Sequence, residues 1–409
     1  MKLLITGASG FIGSQLVPLL GDMGHDLLLA GRSLDKMRRS FPNQNICDYD
    51  NLEVKSFEYD AVIHLAVINN SAKVDVETFR DVNVEFVKKI AEDAVKAKIP
   101  HFINISSTHS QIDNKKDHYS VSKRDGELAL KAIGLPSVSN FCVPAVYGNI
   151  FRGKLFFLHY IPKFFRTTAF EFFASMRPTL SVEKLASAID AELMLLNVSQ
   201  PDPVPQFRNI YLADTQNANR LFLAQKRFID LAVAITLLLL LSWLMFIIFS
   251  MIWLSSPGPA IFSQQRIGKD KEKFTCYKFR TMSVSTPDQP THLTSDAHLT
   301  RIGSFLRRSK LDELPQLFNI LLNEMSLVGP RPCLPSQKLL VNERSLKSVF
   351  TVKPGITGLA QIQGIDMSDP AKLAVEDGKY VAFQTLPGDL VIVIKTLLGN
   401  GQGDRLIKR

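Results

Sequence analysis

The longest uninterrupted apolar stretch, Phe228 to Leu254 (FIDLAVAITLLLLLSWLMFIIFSMIWL), carries one formal charge, Asp230. As a helix it would be roughly 39 Å long at ~1.5 Å per residue, against a hydrocarbon core of about 30 Å. A helix apolar on every face for this length belongs in lipid rather than in a soluble core. Before it, short apolar runs alternate with helical patterns: Lys2–Thr6, Asp26–Ala30, Asn45–Cys47, Ala61–Leu65, His101–Ser106, Asn140–Val143 and Arg208–Leu212. That alternation predicts an α/β fold, a Rossmann-like doubly wound parallel sheet. After it the pattern is mostly helical, as over Leu299–Leu322, and predicts a small α-rich (α+β) domain. A Ser-, Thr-, Pro- and Asp-rich stretch, Ser283–Ala297, reads as a mobile loop, with His292 and His298 as solvated loop residues rather than metal ligands. The expected organisation is residues 1–218, then 219–255 as linker and membrane helix, then 256–409, with no internal repeat.

Charge changes the picture of the apolar stretch. The 409 residues have a formal net charge of +9. Lys226 and Arg227 precede the stretch, and Arg266, Lys269, Lys271, Lys273, Lys278 and Arg280 follow it. Positive charge marks the cytoplasmic end of a membrane segment, so both ends read as inside. That favours a helix that enters and turns back, bending near Ser242, over a straight crossing. A secretory signal is excluded because the segment lies mid-chain. Further basic residues at Arg301, Arg307, Arg308 and Lys310 fit anionic headgroups and phosphate-bearing substrates. Nucleic acid is not expected, since no recognition motif accompanies the charge. The four cysteines, Cys47, Cys142, Cys276 and Cys333, lack metal-type spacing and fit a reduced setting.

Candidate chemistry begins at Gly7-Ala8-Ser9-Gly10-Phe11-Ile12-Gly13, directly after the first strand. Glycines at this spacing let the backbone turn tightly and set a helix N-terminus against a pyrophosphate. Arg32 stands after the second strand, where an NAD site usually has an acid, and points to NADP(H) through a 2′-phosphate contact. Tyr119 and Lys123 lie four apart on one helix face, where an ammonium is expected to lower the phenol's pKa. Ser106-Ser107-Thr108 ends a strand near the same place.

Together with His64-Leu65-Ala66, Asn83, Pro144-Ala145-Val146-Tyr147-Gly148 and Arg177–Val182, these residues resemble the extended, sugar-nucleotide-modifying branch of the short-chain dehydrogenase/reductases, over about residues 1–215. The resemblance implies that Thr108 polarises the substrate oxygen, that Tyr119 exchanges the proton, and that Lys123 serves the tyrosine and the nicotinamide ribose. It implies NADP(H), or NAD, held by Gly7, Gly10, Phe11, Ile12, Gly13, Arg32, Asp48 and Ala66. Val143 replaces the arginine that branch usually carries before its Pro-x-x-Tyr-Gly run. Reduction of a keto sugar is the expected reaction, with epimerisation and non-catalytic nucleotide sensing as alternatives.

In the second half, Arg307-Arg308-Ser309-Lys310-Leu311-Asp312-Glu313-Leu314-Pro315-Gln316 places adjacent carboxylates beside three cations, with Arg301 a little upstream as a fourth. A carboxylate can attack phosphorus, with cationic groups and Mg²⁺ neutralising phosphate oxygens. With Lys278-Phe279-Arg280-Thr281-Met282, Gly329-Pro330-Arg331-Pro332 and Lys353–Gln361, it resembles the monotopic polyprenyl-phosphate phosphoglycosyl transferases, from about Lys226 to Leu398. That family moves a sugar phosphate from a UDP-sugar to undecaprenyl phosphate. The resemblance implies Asp312 as nucleophile, Asp312 and Glu313 as Mg²⁺ ligands, and Lys278, Arg280, Arg307 and Arg331 on phosphate. Since both resemblances imply cytosolic nucleotides, a straight crossing is excluded, and a re-entrant helix on the cytoplasmic face of a bacterial inner membrane is implied; a homodimer is the candidate assembly. The family's Ser-Pro break in the membrane helix reads Ser242-Trp243 here, leaving the Ser242 hydroxyl to bond a carbonyl one turn earlier.

Overall fold

The computed structural model describes residues 1–400 except 50–58, 71, 73, 112–115, 150, 152, 199–205, 285 and 287–298. Most of the expected Ser283–Ala297 loop, with His292 and His298, lies outside the described residues. The chain forms two compact units, the first being Met1–Arg166 with Pro178–Asp214 and the second Thr167–Arg177 with Thr215–Arg409.

The first unit is built on seven parallel strands: β1 (Lys2–Thr6), β2 (Asp26–Ala30), β3 (Asn45–Cys47), β4 (Ala61–His64), β5 (His101–Ser107), β6 (Ser137–Val143) and β9 (Gln206–Tyr211). Their order is β3-β2-β1-β4-β5-β6-β9, so direction of winding reverses between β1 and β4, beside the glycine loop. Sheets of this kind are buried on both faces, and the sequence shows it. Leu3, Ile5, Leu27 and Leu29 pack into one core with helices Phe11–Asp22 and Val182–Val198. Their neighbours Leu4 and Leu28 pack into another, with helices Phe86–Lys96 and His118–Ile133. β6 starts three residues earlier than its apolar run implies. Ser139 obscured the pattern, because its hydroxyl is buried by donating to Glu192 rather than by being apolar. A short side pair, β7 (Ala145–Tyr147) with β8 (Thr179–Ser181), completes the unit.

The second unit contains the helix Arg220–Ser255. It begins eight residues before the apolar run because Asn219 caps it, its side chain accepting from the Phe222 amide at 2.9 Å. Lys226 and Arg227 are therefore inside the helix, and both are used. Lys226 donates to Asp389 at 2.5 Å and to the Val328 carbonyl at 3.1 Å. Arg227 donates to the carbonyls of Ile320 and Leu321, at the end of helix Gln316–Leu321, where a cation is favoured by the helix dipole. One turn on, buried Asp230 accepts from the Ser326 hydroxyl at 3.1 Å and the Leu327 amide at 3.0 Å.

The far end of the helix is held by the same unit. Ile248 and Ile252 pack with Ala260, Phe279 and Leu306. Arg280 donates to the carbonyls of Ser256 and Pro257, just beyond the last turn. Gly258 is required there: its φ is +107° and a Cβ would lie 2.4 Å from the Arg280 guanidinium. Between the ends, Ser242 donates to the Leu239 carbonyl at 3.1 Å, as expected. The helix nevertheless continues unbroken through Ser242. With no proline to delete a backbone hydrogen bond, the ladder has no reason to open, so the expected bend is not a break in the helix.

The remainder of the unit comprises the antiparallel hairpin β10 (Ile261–Ile267) and β11 (Lys273–Phe279), the parallel pair β12 (Ser326–Val328) and β13 (Gly355–Thr357), and short helices. Replacing Asp230 by Ala strands the Ser326 hydroxyl and the Leu327 amide. The expected result is about 1–3 kcal/mol of lost stability, read as a lower unfolding temperature in detergent or nanodiscs.

Candidate active sites

In the first unit Gly7 has φ +75°, and a Cβ there would lie 2.6 Å from the Ala66 amide. The end of β1 and the loop after β4 thus touch backbone to backbone. Gly13 is packed as tightly, its virtual Cβ 2.6 Å from the carbonyls of Gly7 and Ala8. Helix Phe11–Asp22 starts at Gly10, which offers no side-chain cap, so the first-turn amides of Phe11 and Ile12 suit an anion. Arg32 is exposed beyond β2, and Asp48 follows β3. Those placements fit a dinucleotide with a 2′-phosphate. Tyr49 is an addition the sequence did not flag: its hydroxyl meets the Gly7 backbone and its ring packs edge-on to Phe86 at 4.7 Å.

Helix His118–Ile133 presents Tyr119 and Lys123 as expected. Asn83 ties that helix to the loop after β4, accepting from the Ile68 amide at 2.9 Å and donating to the Ser122 hydroxyl at 3.0 Å. The electrostatics differ from expectation. Burial pushes the Tyr119 phenol up, a side-chain hydrogen bond with Ser107 opposes that, and Asp117 adds to it. Lys123 is not among the groups that shift it, and its ammonium donates to the Ile105 carbonyl at 3.1 Å. Burial brings Lys123 itself down to about 8, with Glu127 opposing the shift. Thr108 begins the 3₁₀ turn after β5, and it is Ser107, one residue earlier, whose hydroxyl meets the phenol. Buried Glu127 in turn collects the hydroxyls of Ser106 and Ser110 and the Gln111 amide.

In the second unit, helix Arg301–Ser309 ends at Lys310, whose φ of +57° lies in the left-handed region. A non-glycine residue there is strained, a feature common at functional sites, and it turns the chain into the 3₁₀ turn Leu311–Glu313. Glu313 Oε1 accepts from Lys278 Nζ at 2.9 Å and from Arg331 Nη2 at 3.0 Å. Burial alone would raise its pKa, but Lys278 and Arg331 overcome that and hold it well below the usual carboxylate range. Asp312, 8% exposed, shifts oppositely. Burial, then the charge of Glu313, lifts it to about 6 against the lowering pull of Lys278, Arg307 and Arg331.

Arg307 donates from Nε to the Thr281 hydroxyl at 3.0 Å, linking the helix to the Lys-Phe-Arg-Thr-Met segment. Arg331 comes from the loop after β12, whose Gly329 would place a Cβ 2.4 Å from the Lys353 carbonyl, so the two glycine loops stack backbone to backbone. Arg280 is the exception among the expected phosphate ligands. It is buried and its guanidinium is spent on Ser256 and Pro257. Arg344, unflagged in sequence, is 1% exposed. It pairs with Asp377 at 2.7 Å and donates to the Arg331 carbonyl at 2.8 Å, fixing the backbone that carries Arg331. A lone arginine on a short helix gives no signal of this.

Among the described residues no three His, Cys, Asp or Glu side chains gather as a metal site. Mg²⁺ commonly takes only one or two carboxylates, completing its shell with water and substrate phosphate. Asp312 with the remaining oxygen of Glu313 fits that donor set.

The family described as bacterial sugar transferase matches residues 221–400, and the NAD dependent epimerase/dehydratase family matches residues 3–167. The UDP-glucose:undecaprenyl-phosphate glucose-1-phosphate transferase of Escherichia coli (strain K12) is 39% identical over 199 residues, 46% of this chain and 42% of that protein. The exopolysaccharide production protein ExoY of Sinorhizobium fredii is 36% identical over 189 residues, 42% of this chain and 83% of that protein. The chain spans about two fifths of the length of the first curated relatives it matches. The solved Bordetella bronchiseptica enzyme WbmG in complex with NAD superposes with a TM-score of 0.41 at 20% identity, covering 52% of this chain and 72% of that one.

In metal-free protein, ¹³C-aspartate NMR is expected to find an Asp312 carboxyl titrating near pH 6 and absent from Asp312→Asn. Lys278→Met removes a lowering charge and moves the midpoint up. Mg²⁺ moves it down if the two carboxylates hold the ion.

Proposed function

Because this chain belongs to the bacterial sugar transferase family and carries an NAD dependent epimerase/dehydratase region ahead of it, we propose that it is a bifunctional enzyme of surface-glycan assembly. Its second unit transfers a sugar phosphate from a UDP-sugar to undecaprenyl phosphate. The observation that carries this reading is the division of labour within the acidic pair. One oxygen of Glu313 is taken by both Lys278 and Arg331, while its neighbour Asp312 keeps a carboxyl basic enough to be a useful nucleophile.

An Asp312 oxygen attacks the phosphorus bearing the sugar, and the bond from that phosphorus to the UMP oxygen breaks. A phosphosugar-enzyme ester and UMP result. A phosphate oxygen of undecaprenyl phosphate then attacks the same phosphorus, freeing Asp312 and leaving the sugar on a lipid diphosphate. Lys278, Arg307 and Arg331 counter the charge that develops on phosphate oxygens. Asp312 and Glu313 would hold Mg²⁺, which supplies further neutralisation of phosphate charge when bound.

The first unit performs NAD(P)-dependent chemistry at a sugar ring carbon, with Tyr119 moving the proton and Ser107, Thr108 and Lys123 around it. Exposed Arg32 favours NADPH and net reduction of a keto sugar over epimerisation. One observation favours nucleotide sensing instead: Tyr119 is raised by burial and Lys123 is turned to a backbone carbonyl.

Both units need cytoplasmic nucleotides, so both ends of helix Arg220–Ser255 face the cytoplasm. The fastening of both ends to one unit supports this. Cysteine labelling is expected to find the flanks on one membrane face, and opposite faces would sink the reading.

UMP release from a UDP-sugar panel with undecaprenyl phosphate tests the transferase. Asp312→Asn should abolish it, and undiminished release would remove Asp312 as nucleophile. NADPH consumption with a UDP-4-keto sugar, lost in Tyr119→Phe, tests the reductase, whereas tight NADPH binding without turnover favours sensing.

A further inference from the structure

In the first unit, the 3₁₀ segment Gly153–Tyr160 and the start of helix Lys163–Met176 carry a concentration of outward aromatic side chains. Phe156 is 51% exposed, Tyr160 78%, Phe164 87% and Phe165 59%. The segment is seated rather than frayed, because Leu155 and Leu158 are buried. Their spacing of three is that of a 3₁₀ helix, and it turns the neighbouring Phe156, Phe157, His159 and Tyr160 to the other side. Core packing therefore accounts for the leucines and leaves the aromatics unexplained. Aromatic rings link the patch inward: Tyr147 to Phe151 at 6.3 Å, Phe151 to His159 at 5.8 Å, and Phe156 to Tyr160 at 5.6 Å.

Charge specifies the occupant. Residues 148–170 contain Arg152, Lys154, Lys163 and Arg166 and no aspartate or glutamate. Exposed aromatics in a stretch of sequence that carries cations and no acids match the headgroup region of an anionic bilayer.

We propose that Leu155–Arg166 is a membrane-docking surface of the first unit, inserting its aromatic side chains at the interface of an anionic bilayer. Its residues lie outside the sequence of the long apolar helix, and the reading of that helix as membrane-embedded brings a bilayer within the chain's reach. Docking would hold the reductase unit at the surface where the transferase acts, so that a sugar handled by one is close to the other.

The full chain in nanodiscs tests this. The native cysteines Cys47, Cys142, Cys276 and Cys333 are all buried, so an introduced surface cysteine can be labelled selectively with an environment-sensitive fluorophore. Three variants are compared: Phe164→Cys in the patch, Leu239→Cys on the apolar helix and Lys89→Cys on an exposed helix of the first unit. Nitroxide-bearing lipid is expected to quench the Phe164 and Leu239 positions severalfold more than the Lys89 position. Quenching at Phe164 should weaken when phosphatidylglycerol is replaced by phosphatidylcholine, while that at Leu239 stays. Quenching at Leu239 with Phe164 no different from Lys89 overturns the proposal and leaves the helix reading intact. Quenching at Phe164 without Leu239 retains the docking surface and sinks the helix reading. Energy transfer between labelled copies at Phe164 in place of lipid quenching overturns the proposal in favour of a second copy of this chain.

Discussion

The second unit depends on one constraint: a helix too apolar for water is fastened at both ends to a single folded body. Charged groups on such a helix are costly to bury unless paired, and three of them have partners. Lys226 meets Asp389, Arg227 meets two helix-end carbonyls, and Asp230 meets Ser326 and Leu327. The elements that make these contacts also carry the chemistry. β12 holds Asp230 and then leads into the loop of Arg331, while β11 carries Lys278 one residue before the core residue Phe279 and two before Arg280, which closes the helix's far end. Anchoring and the proposed phosphate site therefore share a backbone.

The two candidate sites use burial in opposite ways. Around Asp312 and Glu313, desolvation acts on two like charges, and the cations settle the contest by favouring one of them. Glu313 takes Lys278 and Arg331, and Asp312 is left poised near neutrality. Around Tyr119, burial acts on a phenol and an ammonium separately. Lys123 is drawn to Ile105 and Glu127, so the pair does not couple as its spacing implies. A bound dinucleotide's ribose hydroxyls would offer Lys123 another partner, which is consistent with a site completed by its cofactor.

Much of the architecture was legible along the chain. Short continuous apolar runs separated by helical patterns located every strand of the main sheet to within a few residues, because a strand buried on both faces has little choice of composition. The glycine loop was legible for a related reason: at Gly7 and Gly13 only a hydrogen fits. The start of the long helix was missed by eight residues, since the Asn219 cap carries no apolar signal and Gln225, Lys226 and Arg227 separate Leu221–Ala224 from the long apolar run.

What the sequence determined by itself was therefore local and compositional: the alternation of the sheet, the lipid affinity of Phe228–Leu254, and the adjacency of Asp312 and Glu313. Tertiary structure decided which charge meets which. It sent Arg280 to a helix terminus rather than to phosphate, recruited Arg344 and Asp377 beneath Arg331, placed Ser107 on the phenol, and turned Lys123 to a carbonyl. Side-chain partners are fixed by approach in space under a desolvation cost that only the folded chain imposes, and residue spacing along one strand or helix carries no record of it.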